Sequence, residues 1–307
     1  MILTVTFNPA LDYVIGVSNL ELGETNRTTH EEIQLGGKGI NVSCVLSALG
    51  METKALGFIA GFTGEKIDEM SKASGIQTDF IRLEKGDSRI NVKIKGECET
   101  EINAGGPEVS ISEQNQMFEK LMALSSGDIL ILSGSIPKSM PADTYQNIMS
   151  ALKDKGVEIV CDATGQLLLN VLSYNPFLVK PNKAELSELV GKKLQTIGEV
   201  IEGAKYLQSL GGKNILVSLG KEGAILLDEN GDIHKTHAIA GKVQNTVGAG
   251  DSMVAGFVAG YASDKNYKSA MCMGSACGNA TAFSKVLATK EEIYKCLEEI
   301  KAEYKTL

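Results

Sequence analysis

Short apolar runs, rich in Val, Ile and Leu, recur along this chain with a helix-like segment between each and the next. The runs are Ile2–Phe7, Thr53–Ile59, Asp128–Leu132, Val157–Cys161, Phe177–Val179 and Ile215–Leu219. The segments between them are Asn41–Leu49, Gly64–Ala73, Pro141–Lys153, Gly165–Leu172, Ala184–Val190 and Ile197–Leu210. Strands this uniformly apolar need cover on both faces, and helices in alternation with strands supply it over a parallel sheet. The punctuation agrees: Gly50 is placed to terminate the first helix as its C′ residue, and Pro141 suits a first helical position. From about Ala249 to Lys305 the pattern is mostly helical.

Two stretches depart from this rhythm. Tyr13–Gln34 and Ser88–Asn103 are β-rich, and Arg89-Ile90-Asn91-Val92-Lys93-Ile94-Lys95 alternates polar with apolar. Alternation describes strands with one face in water or toward a ligand. Either a small sheet covers a cleft or these are edge hairpins of the main sheet. Size alone, 307 residues, fits two domains or one large α/β domain.

Composition narrows the function. Lys and Arg number 30 against 38 Asp and Glu, a net charge of −8, and Trp is absent. Such a chain lacks the basic footprint of a general nucleic-acid binder, so no nucleic-acid partner is expected. No apolar run approaches the roughly 20 residues of a membrane span, and no membrane association is expected. The start, Met1-Ile2-Leu3-Thr4-Val5, has no basic n-region or cleavage site, so no signal peptide is expected. The six cysteines, Cys44, Cys98, Cys161, Cys272, Cys277 and Cys296, form no C-x-x-C pair and read as reduced, partly buried residues of a cytoplasmic protein. His30, His234 and His237 make no metal signature; in a strand the last two would face opposite sides.

Glycine is the outlier, 33 residues against 6 prolines. Gly36-Gly37-Lys38-Gly39-Ile40-Asn41 lets backbone pass close to a bound group, with Lys38 as a cation and Asn41 as donor and acceptor. It is neither a Walker A loop nor a dinucleotide fingerprint. In Asn245-Thr246-Val247-Gly248-Ala249-Gly250-Asp251-Ser252, a helix N-terminus offers the free amides of Gly248, Ala249 and Gly250 to an anion. Asp251 beside that anion hole is either a helix cap or a base for a hydroxyl proton. In Lys180-Pro181-Asn182-Lys183-Ala184-Glu185, the oxygens of Asn182 and Glu185 suit a hydrated Mg²⁺, and the same spacing suits a capping box; the readings are compatible. Ser218-Leu219-Gly220-Lys221-Glu222-Gly223 reads as a hairpin turn.

Together these segments, with Thr6-Phe7-Asn8-Pro9-Ala10-Leu11-Asp12 and Ser133-Gly134-Ser135-Ile136-Pro137, resemble the ribokinase-like (PfkB) carbohydrate kinase family over essentially the whole chain. The nearest branch is the bacterial phosphosugar kinases. The resemblance implies a three-layer α/β/α domain over residues 1–307, a mostly parallel central sheet, and a small β-sheet lid with strands within about 12–34 and 87–104. It implies Asp251 as base, with Gly248, Ala249, Gly250 and Lys38 around the transferring group. Asp12, Gly36, Gly37, Lys38 and Asn41 would hold sugar hydroxyls. Arg27 and Arg89 would hold the phosphate already on the sugar, with help from Ser133 and Ser135. ATP would lie over Lys180, Asn182, Ser218, Gly220, Gly223, Gly248 and Gly250, with Asn279 near the adenine and Glu185 acting on Mg²⁺. A homodimer through the lid is implied as well.

The expected reaction is transfer from ATP to a ketohexose phosphate, fructose 1-phosphate to fructose 1,6-bisphosphate, with tagatose 6-phosphate as rival substrate. Lys38 argues against the 6-phosphofructokinase branch, and Cys44 stands where the family often has Arg. A non-catalytic sugar-phosphate sensor is the alternative of a different class; a nicotinamide dehydrogenase is weaker still, since no G-x-G-x-x-G follows the first strand. At least ten glycines fall in or beside these loops, Gly256 and Gly278 among them, which predicts that the excess clears backbone for anionic substrates.

Overall fold

A computed structural model describes residues 1–306. The chain opens with β1 (Ile2–Thr6), β2 (Ala10–Gly16), β3 (His30–Gly36), α1 (Lys38–Ala48), β4 (Thr53–Ile59) and α2 (Gly61–Ala73). Four strands and a helix follow: β5 (Gln77–Thr78), β6 (Ile81–Arg82), β7 (Arg89–Lys95), β8 (Thr100–Ile102) and α3 (Ile111–Met122). The middle alternates β9 (Ile129–Ser133), α4 (Thr144–Leu152), β10 (Glu158–Asp162), α5 (Gly165–Leu172), β11 (Leu178–Val179), α6 (Lys183–Leu189), α7 (Ile197–Ser209) and β12 (Asn214–Ser218). Then come β13 (Ala224–Leu227), β14 (Ile233–Thr236), α8 (Ala249–Asp264), α9 (Tyr267–Phe283), α10 (Lys290–Glu303) and β15 (Lys305–Thr306).

The large sheet runs β15-β14-β13-β12-β11-β10-β9-β1-β4-β5, parallel from β12 to β5 and antiparallel from β12 to β15. Its alternating side chains feed two cores. Leu3, Val5, Leu130 and Leu132 pack with α3 to α7, while Ile2, Ile129 and Ile131 pack with α1, α8, α9 and α10. That double cover is what the uniformly apolar runs called for.

Helix ends follow local chemistry. Asn182 and Glu185 form a capping box at α6, and Gly50 takes φ +82 just past α1. α1 begins three residues before Asn41, because Gly37, at φ +121, turns the chain straight from β3 into the helix. Pro141 is not in α4: the helix starts at Thr144, and Pro141 holds the preceding turn by accepting from the Thr144 amide at 3.1 Å.

β2, β3, β7 and β8 form a separate sheet in the order β3-β2-β7-β8, not hairpins on the edge of the large one. Its register gives it two unlike faces. Ile33, Tyr13, Val92 and Ile102 pair in a row across one. Gln34, Asp12 and Asn91 pair across the other, which also carries Arg89 and Lys93.

Gly256 sits at the α8–α9 crossing, where a Cβ would lie 2.5 Å from the Met273 carbonyl, whereas Gly278 lies beside the turn that opens α8, where a Cβ would lie 3.3 Å from the Ala249 carbonyl. All six cysteines are unpaired, with Cys98 exposed. His234 is buried against Asp228 at 2.8 Å, and His237 lies past the end of β14. No helix among the described residues is long and apolar enough to cross a membrane.

Candidate active site

Ligands of open α/β sheets bind beyond the carboxyl ends of the strands. Here those ends bring together Thr6 of β1, Ser133 of β9, Asp162 of β10 and, just past β11, Lys180. A cavity of about 680 Å³ opens there, lined by Gly37, Lys38, Arg89, Ser133, Ser135 and Asp162 among others. Thr6 and Ser133 also line it, and their hydroxyl oxygens are buried without a hydrogen-bond partner among the described residues.

Asp251 lies in the first turn of α8, seven per cent exposed, and its Oδ2 accepts from Asn41 Nδ2 at 2.8 Å. Burial raises its pKa to about 6, with the negative charge of Asp162 adding to the rise; the Asn41 bond, Lys38 and Lys180 oppose it. A carboxylate tuned toward neutrality suits a general base. Gly248 caps α8 in the left-handed region, φ +78. Among the described residues nothing accepts from the amides of Gly248, Gly250 or Asp251, whereas that of Ala249 already donates to Thr246 at 3.3 Å. The amides left open at this turn are those of Gly248, Gly250 and Asp251.

Asp162 is not flagged by the sequence, because the apolar run ends at Cys161 and the strand continues one residue further. Buried at one per cent exposure, it binds Lys38 Nζ at 3.3 Å through Oδ2 and Lys180 Nζ at 3.6 Å through Oδ1. Burial would depress the Lys38 pKa, but Asp162, Asp251 and Glu185 outweigh it and raise it, so the ammonium stays charged. A Cβ on Gly250 would lie 3.2 Å from Lys180 Nζ, which puts that lysine over the first turn of α8. A carboxyl-terminal strand residue with a charge was the available signal.

The remaining predicted residues divide. Arg89 Nε donates to the Asn8 carbonyl at 3.0 Å and lines the cavity. Asp12 and Asn41 line a second cavity of about 270 Å³ with Cys44, Asn245 and Val247. Burial raises the Cys44 thiol to about 11, so it is protonated and unreactive at neutral pH. Gly36 is buried under Asp12, where a Cβ would lie 2.5 Å from Oδ1. Asn182 bridges to Ser218, Gly220 opens the turn between β12 and β13, and a Cβ on Gly223 would meet the Thr236 carbonyl at 2.0 Å. Asn279 donates within α9 to the Ser275 carbonyl, leaving its Oδ1 open. Arg27 is exposed on the connection after β2 and lines neither cavity.

Mg²⁺ has a fitting but sparse donor set. The capping box takes Asn182 Oδ1 and Glu185 Oε2, each at 2.8 Å, leaving Glu185 Oε1 open. No cluster of three or more His, Cys, Asp or Glu side chains suited to a metal occurs among the described residues. One free carboxylate oxygen suits an ion that keeps most of its waters.

The chain belongs to the pfkB family of carbohydrate kinases, whose model, "pfkB family carbohydrate kinase", matches residues 5–292. It is thus a sugar-phosphate kinase on the ribokinase-like α/β fold, and ATP is the co-substrate that its family implies. A 1-phosphofructokinase of Bacillus subtilis is 41% identical over 98% of this chain and 99% of its own length. A D-tagatose-1-phosphate kinase of Bacillus licheniformis is 36% identical over 98% of each chain. The crystal structure of phosphofructokinase-2 from Escherichia coli in complex with fructose-6-phosphate matches with TM-score 0.91 and 27% identity, over 98% of this chain and 99% of that one. The sensor reading draws no support from such relatives.

Proposed function

We propose that this kinase transfers the γ-phosphoryl group of ATP to the primary hydroxyl of a ketohexose phosphate, with fructose 1-phosphate as its preferred substrate and fructose 1,6-bisphosphate as product. The observation that carries the reading is the buried Asp251 carboxylate, held by Asn41 where the open amides of α8 and two lysines converge. The full-length likeness to a 1-phosphofructokinase supports the choice of sugar.

Asp251 takes the proton of the attacking hydroxyl as the new P–O bond forms. The amides of Gly248, Gly250 and Asp251, with Lys38 and Lys180, face the charge on the moving phosphoryl group, fixed in place before it arrives. Arg89 holds the phosphate already on the sugar, and its planar fork suits that anion. Ser133 and Ser135 join it on the cavity wall. Asn182, Ser218, Gly220, Gly223 and Asn279 line the nucleotide's place. Mg²⁺, brought by the nucleotide and met by Glu185 through water, would neutralise phosphate oxygens.

The small sheet acts as a lid within a single kinase domain, its polar face toward the sugar, and closure brings Arg27 to the substrate phosphate. Its other face leaves Ile33 (50%), Ile90 (41%) and Ile102 (58%) exposed. A contiguous apolar row of this kind suits an interface, here a homodimer through the lids. Six unpaired thiols suit a reducing cytoplasm.

A coupled assay with ATP and four sugars tests the substrate: fructose 1-phosphate, tagatose 6-phosphate, tagatose 1-phosphate and fructose 6-phosphate. The specificity constant should be highest for fructose 1-phosphate. A maximum with tagatose 6-phosphate would overturn the assignment.

A further inference from the structure

Asp12 lines the second cavity from β2, an inner strand of the small sheet, and both its oxygens are already engaged. Lys93 Nζ meets Oδ2 at 2.8 Å and Asn91 Nδ2 donates to Oδ1 at 2.9 Å. All three residues are buried, with Lys93 at seven per cent exposure. Asn91 is itself fixed, since its Oδ1 accepts from the Ala104 amide at 3.2 Å. Glu101, opposite Lys93 on β8, stands 4.0 Å from its ammonium and is far more exposed. A small sheet that buries a lysine under these terms loses solvation that only a matched carboxylate restores.

The pairing has consequences for an anionic substrate. An isolated Asp12 carboxylate would repel a sugar phosphate; paired with Lys93 it is locally neutral while keeping lone pairs for a sugar hydroxyl. Its rotamer is set by two residues of β7, which lies beside β2 only because the sheet is assembled. Gly36 completes the seat by leaving room for the carboxylate.

We propose that Lys93 and Asn91 are positioning residues for Asp12: they fix its orientation and cancel its charge, and so set the affinity for the sugar phosphate. The proposal rests on the reading of Asp12 as an acceptor for a sugar hydroxyl. Neither residue touches the transferring phosphoryl group, so the effect belongs in the sugar KM rather than in kcat or in the KM for ATP.

A double-mutant cycle on the full-length enzyme tests it, with Lys93→Met, Asp12→Asn and the pair. Lys93→Met should raise the sugar-phosphate KM by about 30-fold or more, the usual scale for unpairing a buried charge, while the KM for ATP stays within about twofold. Lys93→Arg, which keeps the charge, should recover most of the loss. In the Asp12→Asn background, Lys93→Met should add little, because the carboxylate it serves is gone. Equal effects of Lys93→Met in both backgrounds would overturn the proposal, as would equal rises in both KM values. Should Lys93→Met fail to fold, Asn91→Ala carries the same cycle through the other oxygen, with the same two outcomes. A wild-type enzyme that phosphorylates no ketohexose phosphate would refute the underlying reading, whereas wild-type turnover with an additive cycle refutes the positioning role alone.

Discussion

Replacing Asp162 by Asn removes a negative charge from between Lys38 and Lys180 and from the neighbourhood of Asp251. The sign of the effect on the base is fixed by the structure. A base at Asp251, as proposed, would work only when ionised, so activity should be lost as pH falls through its pKa. The rise from 3.8 to about 6 favours the protonated form by roughly 3 kcal/mol. Burial is the larger cause and survives the substitution; the repulsion from Asp162 does not. The two lysines, no longer neutralised, pull in the same direction. The acid limb should therefore move to lower pH, by more than a few tenths and less than about two pH units.

The assay is kcat/KM for the sugar phosphate against pH, since that ratio reports the free enzyme. The substrate phosphate itself titrates near ~6, so wild type and variant are compared on one substrate. Wild type should fall with a slope approaching two where both groups titrate; Asp162→Asn should fall with a slope near one until its own lower limb is reached. The absolute rate should drop as well, because Lys38 and Lys180 lose the carboxylate that orients them, and breaking a buried pair costs about 3–5 kcal/mol of stability. A limb that stays in place, or moves to higher pH, would refute this account of how Asp251 is tuned.

Three further outcomes follow from the geometry. Gly36→Ala puts a Cβ 2.5 Å from Asp12 Oδ1 and should raise the sugar-phosphate KM by about tenfold or more, with the KM for ATP unchanged in steady-state assays. Glu185→Gln keeps a residue able to close the capping box, so the melting temperature should hold while the Mg²⁺ concentration for half-maximal rate rises by about tenfold. Ile33→Glu with Ile102→Glu should convert a dimer into a monomer by light scattering; a wild-type protein that is already monomeric at micromolar concentration contradicts the lid interface.

Much of this site was legible because its chemistry is local in sequence. Gly248 before α8, and Gly250 and Asp251 as its second and third residues, form one turn, and the spacing of Asn182 and Glu185 closes a capping box whether or not a metal visits. What escaped was set by long-range pairing. Lys93 reaches Asp12 only through the parallel register of β2 with β7, which no local period announces. Asp162 sits one residue beyond an apolar run, where strand boundaries are least certain in sequence. Gly256 follows the α8 loop closely in sequence, whereas helical spacing turns it to the α8–α9 crossing.

The central claim is that Asp251 is the base of a sugar-phosphate kinase. The most direct measurement is turnover of Asp251→Asn with fructose 1-phosphate, beside its affinity for ATP. The account predicts a fall in kcat of about 10²–10⁴-fold or more, with ATP affinity and folding retained. Near-normal turnover by that variant would contradict it.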